Sequence, residues 1–392
     1  MKIIDVAEFY TDQGGGVKTY INQKLQAGAR MGQEIVIVAP GKQRGEEQRY
    51  GGRVIWVPGP PLPVDPRYYI LWREKEVHRI LDREKPDVVE GSSPWTGGWF
   101  AGRWKGDAVK SFIFHQDPVA VYPQTFLDKL FRYDRIDRLF GFYWGYLRRL
   151  SRRFDATIVS GDWLEERLRS FRIQNPVAVP FGIDKDFFSP NRRDPELRKQ
   201  LLEELGLPED ATLFAGISRH HPEKRLGTVV KGFEIAAKQK PMGLLLFGDG
   251  PFRAIVKRQA KGIPHLKLKG FTSNRDELAN ILASSDYFVH GSAAETFGLV
   301  VAEAICSGLP VVVPNIGGAS DMAHPDYAET YAPGDEKDLS KALLNIVDRN
   351  RQDLVNACQH TGEPSIGTMD DHFRRLFAVY QELVDEKRKV KH

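Results

Sequence analysis

The sequence predicts an α/β protein of two doubly wound domains in series. Apolar runs of strand length alternate with helix-length amphipathic segments from end to end. A Gly/Pro/Asn-punctuated stretch after Pro180 interrupts that alternation, which then restarts. A chain of 392 residues is also too long for one compact core and suits about two domains. Such alternation implies parallel sheets covered by helices on both faces, with ligands held beyond the carboxyl ends of the strands.

In the first half, strands are expected at 3–7, 34–39, 54–57, 87–90, 111–114, 157–160 and 177–179. Gly14-Gly15-Gly16-Val17 follows the first strand and opens a helix through Asn22 and Leu25. Glycines there let backbone N–H groups approach a phosphate or sugar at the positive end of a helix. The G-x-G-x-x-G spacing and a Walker lysine are both absent, so a plain turn is the alternative. Phe112-Ile-Phe-His115-Gln-Asp117 puts a histidine and an aspartate at the end of a buried strand, facing the crevice expected of this architecture. His115 suits a donor to a sugar hydroxyl or to developing charge, and Asp117 an orienter of an acceptor hydroxyl. A satisfied structural histidine is the competing reading.

Between Tyr122 and Arg153 the bases Lys129, Arg132, Arg135, Arg138, Arg148, Arg149, Arg152 and Arg153 interleave with aromatics such as Phe126, Phe131, Phe140, Phe142 and Trp144. A long helix of this kind either lies on an anionic membrane surface or packs its aromatics into the core beneath a solvated basic face.

The second half repeats the pattern, with strands expected at 213–218, 243–247, 266–269, 287–290 and 310–313. Gly216-Ile-Ser-Arg219-His-His-Pro-Glu-Lys224-Arg225 lies just past the first of these. Arg219, a planar fork, and Lys224, a point charge, together suit a diphosphate, whereas Arg225 reads as a solvated base. Neighbouring His220 and His221 lack a carboxylate at ligand spacing and make a poor metal site. The most informative run is Gly291-Ser-Ala-Ala-Glu295-Thr-Phe297-Gly298-Leu299-Val-Val-Ala-Glu303. It sets Glu295 in a strand-to-helix turn and Glu303 about two helical turns on, with a helix N-terminus between them that favours an anion. A surface turn leading into an amphipathic helix is the bland alternative. The tail from Met369 carries an apolar stripe of Phe373, Leu376, Phe377, Val379, Tyr380 and Leu383, and should pack on a domain; its basic end, 387–392, reads as frayed.

Composition narrows the class. The chain is 41% hydrophobic and 28% charged with net charge +4, ordinary for a soluble globular protein. No apolar run approaches the roughly 20 residues of a membrane span. Met1-Lys-Ile-Ile-Asp-Val reads as a buried strand rather than a leader. The 2 cysteines, Cys306 and Cys358, argue against a disulfide framework and fit a cytoplasmic protein.

These four segments, in this order, resemble the retaining glycosyltransferases of family 4 with the GT-B fold, over essentially the whole chain. The resemblance implies two Rossmann-like domains facing across a cleft: residues 1–184 for the acceptor, 185–368 for the sugar nucleotide, and 369–392 as a helix crossing back to the first domain. It implies that Glu303 holds the ribose hydroxyls, and that Glu295 binds the transferred sugar with N–H groups around Phe297, Gly298 and Leu299. Arg219 and Lys224 would grip the diphosphate while Gly15 and Gly16 close from the opposite domain. His115 would contact the donor sugar, and Gly248 and Phe271 lie where the family shapes its base pocket. No obligatory metal or other cofactor is implied. The expected reaction is hexosyl transfer from a UDP- or GDP-sugar to a saccharide or lipid-linked acceptor, in cell-envelope glycolipid or polysaccharide synthesis. Localisation is expected in the cytoplasm, peripheral on the inner face of the membrane. A nucleotide-sugar epimerase and a non-catalytic sugar-nucleotide binder are the alternatives. Nucleic acid is not an expected partner.

Overall fold

The computed structural model describes residues 1–12, 15–63, 65–128 and 130–390. Gly14 of the glycine loop and Lys129 of the basic segment lie outside the described residues. Two sheets dominate. The first, 8-stranded, orders its strands as Pro176–Ala178, Ala156–Val159, Val109–Ile113, Val88–Gly91, Lys2–Val6, Glu34–Gly41, Gly52–Pro58 and Gly45–Arg49. All neighbours are parallel except the last pair. The second, 6-stranded and parallel, runs Leu266–Leu268, Met242–Phe247, Thr212–Ile217, Tyr287–Val289, Val311–Pro314 and Ala328–Tyr331.

In each sheet the first strand of the domain lies inside, with later strands added on both sides. The strand order therefore reverses between Lys2–Val6 and Val88–Gly91, and between Thr212–Ile217 and Tyr287–Val289. Crevices open at the carboxyl ends of such pairs, which is where ligands of open α/β sheets bind. The inner strands are buried along nearly their whole length, as Ile35-Val36-Ile37-Val38 shows, because helices cover both faces.

Every strand expected from the apolar runs is present. The edge strand Gly45–Arg49 was not expected, since Gly-Glu-Glu-Gln-Arg has no apolar residue to mark it. It pairs antiparallel with Gly52–Pro58 through Tyr50 and Gly51, both at positive φ (53° and 82°), as a two-residue hairpin turn requires. Its charges suit an exposed sheet edge.

The last helix, Met369–Lys389, starts at a capping box in which Thr368 and Asp371 satisfy each other's backbone N–H groups. It buries Phe373, Leu376, Phe377, Tyr380 and Val384 in the same cluster as Ile3, Ile35 and Ile37 of the first sheet. Five such side chains contribute on the order of 10 kcal/mol before the ordering entropy of the helix. The basic end is not frayed as far as Lys389: Lys387 Nζ donates to the Ala108 carbonyl at 2.8 Å, and Arg388 pairs with Asp87 at 3.2 Å. Deeper in, Lys24 is fully buried and paired with Asp5 at 2.7 Å and with Glu90. Tyr380 donates to Glu90 at 2.6 Å, so this network ties the last helix to the helix Gly16–Arg30 behind the glycine loop. Burial, with the nearby Asp5 charge, pushes the Glu90 carboxyl up to about 7 despite Lys24.

Candidate active site

Glu295 follows the strand Tyr287–Val289 and precedes the helix Leu299–Cys306, at the switch point of the second sheet. The turn is held from below by a pair of glycines that carry no sequence motif. Gly318 donates to the Glu295 carbonyl at 2.7 Å, and a Cβ on Gly318 would lie 2.4 Å from the Thr296 carbonyl carbon. No side chain fits there, so the Asn315-Ile-Gly-Gly318 loop acts as a floor under the turn.

The Glu295 carboxylate pairs with Lys224, and His290 Nε2 lies 3.4 Å from the same oxygen, a contact rather than an aligned hydrogen bond. Burial works against ionising Glu295, but the Lys224 charge and then His290 outweigh it and hold the carboxyl well below its ordinary range. His290 is 2% exposed and is not marked by the sequence pattern; it sits where the strand meets the turn.

Gly298, at φ +94°, caps the helix, which begins without a side-chain cap. The N–H groups of Gly298, Leu299 and Val300 consequently have no acceptor among the described residues, and Leu299 is 48% exposed. Free N–H groups at a helix start form an anion site. Phe297 is buried, and its ring meets Phe181 edge-on at 5.6 Å. The carboxylate of Glu303, partly buried on the same helix, makes no hydrogen bond or ion pair among the described residues. Burial pushes its carboxyl up to about 7, with Arg275 opposing. This half-buried acid is therefore without a partner of its own.

Arg219 is exposed beyond Thr212–Ile217, while Lys224 is only 14% exposed. The loop between them is set by backbone contacts. His220 N–H donates to the Asp249 carbonyl at 2.8 Å, and Phe252 N–H to the His220 carbonyl at 2.9 Å. Gly248, at φ +133°, supports that loop: a Cβ there would meet the Ser218 carbonyl oxygen at 1.9 Å. Phe271 is 72% exposed, an unpartnered ring at the end of the strand Leu266–Leu268. Arg225 is not the solvated base expected from sequence. It is 9% exposed, pairs with Asp128 and donates to the Tyr133 hydroxyl at 3.3 Å, both in the other domain.

From the first domain, His115 comes to the same place. Its carbonyl accepts from Thr296 Oγ1 at 2.7 Å, next to Glu295, and the Thr296 carbonyl accepts from Ser160 Oγ at 2.9 Å. Burial first, then His372 and Lys24, lowers the imidazole to about 3, so the ring is neutral, and its Nε2 has no partner. A neutral imidazole can bind a sugar hydroxyl but brings no positive charge to a leaving group. Tyr20, on the helix that Gly16 begins, meets the His115 ring edge-on at 5.6 Å and hydrogen-bonds His372 Nε2 of the last helix at 3.0 Å. Gly15 and Gly16 face open space: a Cβ on either would have nothing within 4 Å, so room for a ligand is all that distinguishes glycine there.

Asp117 does not fit the acceptor role read from sequence. It is fully buried, accepts from the N–H groups of Val119 and Ala120 at 2.9 and 3.1 Å, and pairs with Arg167. A carboxylate so occupied is an anchor for the following segment, not a free hydrogen-bonding group. That segment also departs from the single long helix expected. It breaks into Thr125–Leu127, Tyr133–Leu139 and Gly141–Ser151. Ile136, Trp144, Leu147 and Leu150 enter the core, whereas Tyr122, Phe126, Leu130, Phe131, Leu139 and Phe142 are exposed by 45 to 74%.

The arrangement thus gathers Lys224, Glu295, a free helix N-terminus and a neutral imidazole where the two domains meet, with Arg219 and Glu303 on the flanking loop and helix. Fixed donors of this kind stabilise charge that develops on a departing diphosphate. Comparison with known proteins agrees. Residues 14–187 match the family described as Glycosyltransferase Family 4, and residues 198–362 match Glycosyl transferases group 1. A GDP-mannose-dependent α-mannosyltransferase of Mycobacterium tuberculosis is 29% identical over 91% of this chain and 90% of its own. A GDP-mannose-dependent α-(1-6)-phosphatidylinositol dimannoside mannosyltransferase of the same species is 24% identical over 89% and 88%. In fold, the chain is similar to sucrose-phosphate synthase from Thermosynechococcus elongatus, with TM-score 0.74 at 18% identity over 98% of this chain and 100% of that one. With both sheets, the cleft and both halves of the sequence in agreement, the chain belongs to the family 4 glycosyltransferases of GT-B fold and is a hexosyltransferase.

Proposed function

We propose that this enzyme moves mannose from GDP-mannose to a lipid-linked acceptor at an anionic membrane surface, with retained anomeric configuration and without a metal ion. The observation that carries the reaction is the Lys224–Glu295 pair beside the free N–H groups of Gly298, Leu299 and Val300. As the glycosidic bond to the diphosphate breaks, negative charge grows on phosphate oxygens and the anomeric carbon becomes cation-like. Lys224, Arg219 and the helix N-terminus are placed for the first change, which is where stabilisation raises the rate. Glu295, held ionised, accepts from sugar hydroxyls, and Glu303 does the same for the ribose. No second carboxylate among the described residues is placed as a nucleophile. The acceptor therefore attacks from the face the phosphate leaves, and the phosphate oxygen takes its proton.

The mannosyl donor is supported by the relatives, and the membrane by exposed apolar side chains, Phe126 and Phe142 among them, in a segment rich in arginine. No helix among the described residues is long and apolar enough to cross a membrane. The test is donor hydrolysis and transfer with a panel of UDP- and GDP-sugars, with and without EDTA, and NMR of the anomeric proton of the product. Turnover of GDP-mannose alone, unaffected by EDTA and giving the α-product, is expected. Turnover of UDP-sugars only, loss with EDTA, or an inverted product would each overturn the corresponding part.

A further inference from the structure

A cavity of about 480 Å³ lies at the opposite edge of the second sheet from Arg219 and Glu295, where Thr212 and Tyr287 begin their strands. Its floor is Asp286, 4% exposed, with three guanidinium groups around it. Asp286 accepts from Arg198 Nε at 3.0 Å and Nη2 at 2.7 Å, from Arg193 Nη2 at 3.2 Å, and from the Leu213 N–H at 3.0 Å. Two carboxylate oxygens offer about four lone-pair sites, so these four donors fill them. Arg351 is left over. Its Nε lies 3.3 Å from Asp286 yet is buried without a hydrogen bond, and its guanidinium makes none among the described residues.

The charges do not balance either. Lys199 is paired with Glu209 at 2.9 Å and Arg349 with Glu329 at 3.3 Å. Arg193, Arg198 and Arg351 then face one carboxylate, an excess of two positive charges that only the exposed Asp210 at the rim partly offsets. Burial first, then Arg351, lowers the affinity of Arg193 for its proton, the mark of crowded and uncompensated cations. Planar guanidinium forks with free N–H groups around a polar space match the tetrahedral oxygens of a phosphate.

We propose that this cavity is a second anion site, distinct from the donor cleft, which binds a phosphate dianion, free or as a monoester, through Arg351. It is independent of which sugar nucleotide the enzyme uses. The test is calorimetric titration of the full chain at fixed ionic strength with inorganic phosphate and, separately, with glycerol 3-phosphate. Saturable binding is expected, weakened at least tenfold in Arg351→Gln and unchanged in Arg219→Ala. The Arg351 guanidinium makes no hydrogen bond among the described residues, so its variant should fold; Arg351→Lys, which keeps the charge and loses the planar fork, should retain only part of the binding. Tighter binding of the monoester would mark a phosphorylated metabolite as the ligand, and tighter binding of inorganic phosphate the free ion. No saturable binding of either probe, equal binding by wild type and both variants, or loss in Arg219→Ala would overturn the site.

Discussion

Thr296 donates its hydroxyl hydrogen to the backbone carbonyl of His115 at 2.7 Å, joining residues 181 positions apart across the interdomain cleft. The residue that makes this link is next to Glu295. The turn that carries Glu295 is therefore held by the opposite domain as well as by its own. Ser160, which donates to the Thr296 carbonyl, ties the same turn to the first domain a second time.

Replacing Thr296 by Val keeps the shape and removes the hydroxyl. A hydrogen bond of this kind contributes about 1 kcal/mol net, so kcat/KM for the donor should fall about fivefold. The folded state should lose no more than that about 1 kcal/mol, since neither domain's core is touched. Steady-state kinetics alongside a melting curve checks both halves. Unchanged kcat/KM would show that the placement of Glu295 does not depend on this contact.

Strand identity and order of segments were legible because each inner strand is a continuous apolar run, a signal that needs no partner to be read. The Glu295–Glu303 spacing was legible for the same reason, being local to one turn and one helix. What escaped was set by distant contacts. Arg225 looks like any surface base until Asp128, 97 positions away, is brought against it. Asp117 looks free until Arg167 arrives from another helix. His290, Thr296 and the Gly317-Gly318 floor carry no motif, because their roles exist only where two loops meet. The long basic helix failed for a local reason: Ile136, Trp144 and Leu147 turn into the core while Phe126, Phe131 and Phe142 face solvent, and the segment breaks into short helices.

Lys224→Ala removes the fixed cation that the proposed mechanism sets beside the diphosphate. Losing one such group costs about 2–4 kcal/mol of transition-state stabilisation, roughly 30- to 1,000-fold in kcat/KM. It also releases Glu295. A carboxyl whose folded value lies below its unfolded one adds stability that is present above the unfolded value, near pH 4.5, and is lost as pH falls through the folded one. The stability gap between wild type and Lys224→Ala should therefore be full above about pH 5 and narrow as the pH is lowered toward 3. A gap that stays constant over that range would separate Lys224 from the ionisation of Glu295.

Glu303 behaves in the opposite sense. Burial raises its carboxyl to about 7, so in the free enzyme it is about half ionised at pH 7 and mostly neutral below it. Stability from this group is full below the unfolded value of about 4.5 and declines as pH rises to about 7. Ribose hydroxyls donate better to the ionised form, so donor affinity should improve from pH 6 to 8. Glu303→Gln should flatten that profile, bind donor more weakly, and melt at a higher temperature than wild type at pH 8. Titrating donor binding and melting point against pH tests this, and a Glu303→Gln enzyme less stable at pH 8 would contradict it.

Arg225 and Asp128 are 9% and 13% exposed at the domain interface. Removing one partner of a pair so placed leaves the other charge buried and alone, which costs about 3–5 kcal/mol. Arg225→Gln should thus lower the melting temperature, and Arg225→Gln with Asp128→Asn should recover a large part of the loss. A double-mutant cycle gives the coupling directly. Strictly additive effects would mean that the two side chains do not sense each other across the cleft.

The exposed rings of Phe126 and Phe142 invite a membrane test. With Tyr122, Leu130, Phe131 and Leu139 they are exposed apolar side chains on and between short helices, in a segment that also carries Arg132, Arg135 and Arg138. Apolar insertion and attraction of basic side chains to anionic headgroups reinforce one another, each base near such a surface contributing about 1 kcal/mol. The two contributions separate experimentally, because salt screens charge over roughly 8 Å at physiological ionic strength and leaves apolar burial intact. Wild type should cosediment with vesicles containing phosphatidylglycerol and less with neutral ones. Arg135→Glu with Arg138→Glu should remove the dependence on anionic lipid. Phe126→Asp with Phe142→Asp should weaken binding even at low salt, and slow transfer to a vesicle-borne acceptor while leaving donor hydrolysis in solution unchanged. Equal binding of wild type to neutral and anionic vesicles, or undiminished transfer by the aspartate variant, would place the acceptor approach elsewhere on the enzyme.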